Sequence, residues 1–215
     1  EFGFNCARFS IDGYYNSNKG GTFVRTFGDY DRGHTFRKAF SGIQMTQFGL
    51  DGYYFVNGYK YSQAAAYNFS KIQKRSQGCV LAGIAYCNQN IDIDFSQLPP
   101  ELLPYLKLEE KKYHFHYNDY NILVGYGYNA VMGRHWLYNI TVIPGIGFNH
   151  SYEDSTEGNI KLFSLSARGM TSFTYNNGNW FAGLQAKIRG NWYQSTHFGL
   201  FNTVQSIVLS GGYRF

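Results

Sequence analysis

The sequence predicts an all-β chain that forms an antiparallel transmembrane β-barrel. The main observation is the alternation of the last twelve residues, which places apolar and polar side chains on opposite faces of an extended strand. The two faces carry Ile207, Leu209, Tyr213 and Phe215 on one side and Ser206, Ser210, Gly212 and Arg214 on the other, with Val208 as the apolar exception. Aromatic residues make up 20% of the chain. Apolar runs stay below the roughly 18 residues that a spanning helix needs.

The composition predicts one domain over residues 1–215 and argues against nucleic acid as a partner. The net charge is +5, but Lys and Arg form no cluster of the kind that binds nucleic acid. We assign the basic excess to the barrel lumen and to loops that face anionic lipid, including lipopolysaccharide. A slightly polar mean hydropathy fits strands whose alternate residues face water, although a soluble β-sandwich remains the alternative on these totals.

The three cysteines are predicted to be small packing residues. Cys6, Cys79 and Cys87 form no CxxC pair. Along one strand, Cys79 and Cys87 would lie roughly 26 Å apart, which is beyond disulfide reach. We expect no cofactor and no metal.

The first half of the chain predicts three strands and the end of another. Residues 1–6 have the pattern of a strand's end, so the amino-terminal strands of the intact protein are expected to precede this sequence. Residues 18–40 are rich in Gly and charge and predict a long loop. The predicted strands after 1–6 are 9–17, about 42–56, and 78–94. Asp12 and Asp51 point inward in this assignment, and Asn57-Gly58 predicts a tight turn.

Residues 60–76 are ambiguous between a strand, a plug segment and a short helix. They combine three consecutive alanines with a basic end. We favour an irregular or overlong entry to the strand 78–94, so that residues 60–94 cross the membrane once. A plug or a partner-docking strand is the alternative.

The second half of the chain predicts five strands with the clearest alternation. They are residues 113–131, 136–150, 160–175, 180–193 and 204–215. The lumen-facing charges assigned to them are Asp119, Arg168, Lys187, Arg189 and Arg214. Trp180 and Trp192 end one outward row, as expected for two aromatic girdles roughly 25 Å or more apart.

Loop lengths predict the orientation of the barrel. Barrels of the bacterial outer membrane keep short turns in the periplasm and long loops outside. The turns 132–134 and 176–178 are therefore predicted to be periplasmic, together with the carboxy terminus. The loops 95–112, 151–158 and 194–203 are predicted to be extracellular. About nine strands are represented, and since such barrels have even strand numbers, we expect twelve in the intact protein.

Two features resemble known proteins. The ending on Tyr213 and Phe215 resembles the closing strand of outer-membrane barrels, which implies recognition by the barrel-assembly machinery. Residues 60–83, KYSQAAAYNFSKIQKRSQGCVLAG, with Pro-Gly-Ile-Gly at 144–147 and Gly-Tyr-Arg-Phe at 212–215, resemble an outer-membrane barrel family of the Bacteroidota described only as a domain of unknown function. The resemblance implies the fold and the location and carries no catalytic or binding residues.

The inward charges separate by sign along the chain and leave two interpretations open. The acidic residues lie on early strands and the basic ones on the last three. Opposed charged walls would tune a narrow channel for small polar solutes. Alternatively, ion pairs fill the lumen, and the barrel is a non-enzymatic scaffold within an assembly of outer-membrane proteins.

Histidine and serine pairs are the remaining candidates for chemistry. His114 and His116 lie two residues apart, but a metal site needs a third ligand that the sequence does not identify. We interpret them as loop or girdle residues. A lipid-modifying enzyme, the alternative function, would need a Ser beside a His, for which Ser151 with His150 and Ser195 with His197 are the candidates.

Overall fold

Nine strands form one antiparallel, strongly curled half-barrel sheet in this computed structural model. It describes residues 1–19, 21–27, 30, 34–106, 111–156, 158, 161–194 and 199–215. Each strand of the sheet pairs with its neighbours in chain order. The strands are β1 (Phe2–Asn5), β2 (Phe9–Lys19), β5 (Ile43–Phe55), β6 (Gln77–Asp94), β7 (Lys112–Met132), β8 (Trp136–Ser151), β9 (Lys161–Asn176), β10 (Trp180–Gln194) and β11 (Gly199–Tyr213). The all-β prediction is confirmed.

The strand boundaries differ from the prediction at two loops. β2 continues to Lys19, and a small hairpin lies within the predicted loop 18–40. The loop predicted at 194–203 is too long, because β11 already begins at Gly199, opposite Gln194 of β10. Every residue of β11 has a partner in β10, so the two antiparallel strands can exchange backbone hydrogen bonds along the whole of β11. Only residues 195–198 of that predicted loop lie outside the described residues.

The predicted alternation matches the burial of the side chains. Along β8, seven alternate residues from Trp136 to Phe148 are exposed. On β10, Trp180 is 60% exposed and Trp192 is 47% exposed, whereas Arg189 between them is buried. A soluble β-sandwich would bury the apolar face of such a strand and expose its charges. The burial in this sheet is the reverse.

Glycine permits the two tight turns that join β7 to β8 and β9 to β10. Gly133 has a φ of +69° and Gly178 has a φ of +99°. Residues other than glycine rarely adopt these left-handed values, because their Cβ atom clashes with the backbone. Both predicted short turns are present at the same end of the sheet, the short-turn end.

The connection between β5 and β6 folds back against the concave face of the sheet. Residues 60–76 do not form the favoured overlong strand, and Asn57-Gly58 opens a long connection instead of a tight hairpin. A short helix, α1 (Gln63–Tyr67), begins after Ser62, whose hydroxyl accepts from the Ala65 amide. All five α1 residues are buried, and α1 packs on β8 and β9. We call residues 60–76 the plug segment.

The opposite end of the sheet carries the long loops. There a small hairpin of β3 (Thr22–Val24) and β4 (Lys38–Phe40) packs against the connection between β6 and β7. Phe40, Leu98 and Leu102 are the buried centre of this outer cluster. Among the described residues, no helix has both the length and the apolar character to cross a bilayer.

Candidate functional site

A buried network of ion pairs joins opposite walls of the curled sheet. Asp51 of β5 is fully buried, and its Oδ2 lies 3.4 Å from Nε of Arg168 on β9 and 3.6 Å from Nε of Arg189 on β10. Three strands separate β5 from β9 within the sheet. The curl of the sheet therefore brings these charges together across its concave side.

Polar and aromatic neighbours hold both guanidinium groups in place. Arg168 also donates from Nη1 to Oδ1 of Asn191 at 3.0 Å and to the carbonyl of Gly190 at 3.3 Å. Arg189 lies over the ring of Tyr14, 4.2 Å from its centroid. The Tyr14 ring in turn packs over Gly49, where a Cβ atom would collide with it. Charged side chains this deeply buried need such partners to offset the loss of water.

A second pair extends the network toward the amino end of the chain. Lys187 Nζ lies 3.5 Å from Asp12 Oδ2, and Arg189 Nη1 donates to Glu1 Oε1 at 2.6 Å. The structure thus brings together five of the seven predicted lumen-facing charges. Asp119 is buried and accepts from the hydroxyl of Ser164 at 2.6 Å, and within the part of the chain that the structure describes it forms no ion pair.

Arg214 belongs to the plug contacts. It donates to the carbonyls of Phe69 and Gly178, and Asn176 Nδ2 donates to the same Phe69 carbonyl at 2.7 Å. Phe69 has a φ of +56°, a strained value for a residue with a Cβ atom. Backbone carbonyls of the plug segment are therefore anchored by side chains of the sheet.

Tyrosine hydroxyls anchor the rest of the plug segment. Tyr67 donates to Asn139 Oδ1 at 2.7 Å, and Asn139 Nδ2 donates to the Tyr61 hydroxyl at 2.9 Å. Tyr61 donates to Gln63 Oε1 at 2.7 Å. These side chains lie in the apolar core of the concave side, with Leu123, Ile143 and Met170. Polar bonds and apolar packing together fill the short-turn end of the half-barrel.

One family model covers this whole arrangement. It is described as "Domain of unknown function (DUF4421)" and matches residues 1–215. The chain belongs to this family. No curated protein and no solved structure matches it. The predicted membership in a family of unknown function is therefore confirmed. The origin of the protein in the Bacteroidota and its location in an outer membrane stay predictions.

The chain does not present Ser151 to His150 as a nucleophile and base would require. Successive side chains of a strand point to opposite faces, and these residues are neighbours in β8. Ser151 is 2% exposed on the concave side. A serine nucleophile needs its base within hydrogen-bond reach. The second candidate pair, Ser195 and His197, lies outside the described residues.

His114 and His116 lie at the loop end of β7, on its convex side. Oδ2 of Asp154, from the loop after β8, is hydrogen-bonded to His116 Nδ1 at 3.1 Å. This bond is the main reason that the pKa of the Asp154 carboxyl lies below its ordinary value. Asp154 is the third group that the sequence did not identify, because it lies 38 residues from His116 in the chain.

The two residues of the predicted assembly signal lie in an exposed aromatic cluster at the short-turn end. Tyr213 lies 4.7 Å from Trp180 and 5.4 Å from Phe215, measured between ring centroids. Recognition of Tyr213 and Phe215 by an assembly machinery stays a prediction.

The sequence did not identify Glu1, Tyr14 or the tyrosines of the plug segment as members of the site. The three consecutive alanines at 64–66 had left a short helix open, and Ser62, whose side chain caps α1, is a second local signal for it.

Proposed function

We propose that this chain forms the wall and plug of an integral, non-enzymatic β-barrel of the bacterial outer membrane, and that the barrel is a scaffold in a larger assembly. One observation carries the choice of a scaffold over an open channel: Asp51 pairs with Arg168 and Arg189 across the concave side. Ion pairs that cross a lumen occupy the space through which a solute would pass.

The membrane assignment is supported by the exposed outer face. Ile122, Val142 and Leu184 are each at least half exposed near the middle of their strands. Contiguous apolar surface of this kind is rare on soluble monomers but is the expected lipid-facing band of a barrel. Lipid, including lipopolysaccharide, is the partner that this face fits.

The proposed orientation places the plug segment and the carboxy terminus in the periplasm. Short turns belong on that side and long loops outside. Among the described residues, β1 pairs only with β2, and β11 pairs only with β10. Twelve strands in the closed barrel remain part of the proposal, because a barrel needs strands to join these two edges.

The narrow channel for small polar solutes is the competing version of this proposal. Conductance across planar bilayers separates the two. We expect the intact protein to insert without a steady current, because ion pairs and plug segment fill the lumen. A variant in which Gly-Ser replaces residues 60–75 provides the comparison and should show a larger leak.

A steady, unitary current from the unaltered protein would favour the channel and overturn the scaffold. Protease protection of the same vesicles checks that the protein has inserted, so that an absence of current cannot be due to an absence of protein in the membrane. The scaffold further predicts crosslinks from the exposed outer loops, for instance from Tyr105, to other outer-membrane proteins in intact cells.

A further inference from the structure

Three side chains that ligate metals converge on the convex side of the outer rim. His114, His116 and Asp154 each offer one ligand atom, and these atoms all lie within 4.8 Å of one another. β7 contains 21 residues, about twice the 9–11 that cross a bilayer, so its loop end projects beyond the apolar band. We propose that these three residues bind one zinc ion at the outer surface of the barrel.

The spacing of the ligand atoms suits a tetrahedral ion. Asp154 Oδ2 lies 3.5 Å from His114 Nε2 and 3.1 Å from His116 Nδ1. A tetrahedron with metal–ligand bonds of about 2.05 Å has edges of about 3.3 Å. Two of the three edges are therefore close to the required length before an ion enters.

Asp92 fixes the form of His114 that can bind a metal. Its Oδ1 lies 2.6 Å from His114 Nδ1, and the two residues are direct partners between β6 and β7. A carboxylate on Nδ1 places the proton there and leaves Nε2 free, on the side of Asp154. Ligating histidines in metal sites commonly have a carboxylate on the second nitrogen in this way.

The loop that carries Asp154 is fixed to the edge of the cluster. The Tyr152 amide donates to the His116 carbonyl at 2.9 Å, and the Thr156 amide donates to the His114 carbonyl at 2.7 Å. The Tyr152 ring also stacks on the His116 ring, with 4.2 Å between centroids. These contacts hold Asp154 between its bonded neighbours, so that binding an ion costs little ordering of the chain.

The ligand set selects the class of ion. Two imidazole nitrogens and one carboxylate oxygen suit zinc and its neighbours, whereas calcium and magnesium prefer oxygen ligands alone. Three protein ligands leave one position of a tetrahedral ion open to water or to an outside ligand. The side chains of His114, His116 and Asp154 are 34%, 27% and 58% exposed, which allows an ion to enter.

Isothermal titration with zinc chloride tests the site on protein without a histidine tag. We expect one saturable site, unaffected by millimolar calcium or magnesium. His116→Ala and Asp154→Asn should each abolish it, and Asp92→Asn should weaken it by about 10- to 100-fold. His135→Ala is the matched control, since His135 is exposed at the opposite end of the sheet. It should bind zinc as the unaltered protein does.

Cobalt provides a second readout, because a tetrahedral site produces a visible absorption band that His116→Ala should remove. The absence of saturable binding would overturn the proposal and leave the cluster as ordinary hydrogen-bonded pairs. Binding that survives both His116→Ala and Asp154→Asn, or that His135→Ala abolishes, would also overturn it. Migration of the unheated variants on gels, compared with boiled samples, verifies that each one folds.

Discussion

At the scale of single residues, Asp51 has the largest structural role among the interior charges. It is 0% exposed and faces two guanidinium groups, whereas Asp12 meets the partly exposed amine of Lys187. Removing one member of a buried ionic group leaves the other charges buried without a partner that compensates the free energy of their desolvation. The consequence of neutralising Asp51 should therefore exceed that of neutralising Asp12.

We expect Asp51→Asn to lower the free energy of unfolding by about 3–5 kcal/mol, because Arg168 and Arg189 would keep their charge without the buried anion. Urea unfolding in lipid vesicles, followed by tryptophan fluorescence, measures the change. Glu153→Gln, which removes an exposed acid from an outer loop, is the control and should change little. Unfolding of Asp51→Asn at the urea concentration of the unaltered protein would contradict a structural role for the network.

At the scale of elements, the plug segment depends on packing with distant strands. Ala66 is 0% exposed, and Tyr67 reaches Asn139 although 72 residues separate them in the chain. A helix of five residues is too short to be stable alone. The contacts with β8 and β9 therefore hold α1 in place.

We expect Ala66→Phe to loosen the plug segment, since the added ring finds no space and overpacking costs about 1–3 kcal/mol. Trypsin measures the effect, because Lys71, Lys74 and Arg75 are exposed cleavage sites in the same segment. Cleavage there should become several times faster in detergent-solubilised protein. Tyr59→Trp enlarges an exposed ring of the same connection and should leave the rate unchanged. Equal rates for both variants would show that Ala66 does not secure the plug segment.

The elements also show what could be predicted from the sequence. Each strand was predictable because alternation is local: every second residue meets the same environment, as from Trp136 to Phe148. The inward direction of Asp51 and Arg168 followed from the same parity. Their pairing did not, since it depends on the curl of the whole sheet. The sequence of the plug segment shows neither the alternation of a strand nor the period of a long helix, so local patterns could not predict where the segment lies.

At the scale of the whole molecule, one sheet has a polar, filled side and an apolar, exposed side. Interior ion pairs and plug contacts fill the concave side, as Asp51 and Asn139 illustrate. The convex side carries apolar residues such as Ile122 and Leu184, and no described residue covers them. This distribution is stable only where hydrocarbon or another apolar surface covers the convex side. In the proposed membrane location, the depth of a residue in the bilayer should therefore govern its tolerance to charge.

We expect Val142→Arg to destabilise the protein in lipid vesicles by about 2–4 kcal/mol, and Met132→Arg by only about 0–1 kcal/mol. Both side chains are exposed on the convex side of the sheet, but Val142 lies near the middle of β8 and Met132 at the end of β7. Urea titration of both variants in the same vesicles measures the difference. Charge on a water-exposed face would cost little at either position. Equal, small effects would therefore remove the bilayer from the environment of this sheet, whereas a cost that rises toward mid-strand requires hydrocarbon there.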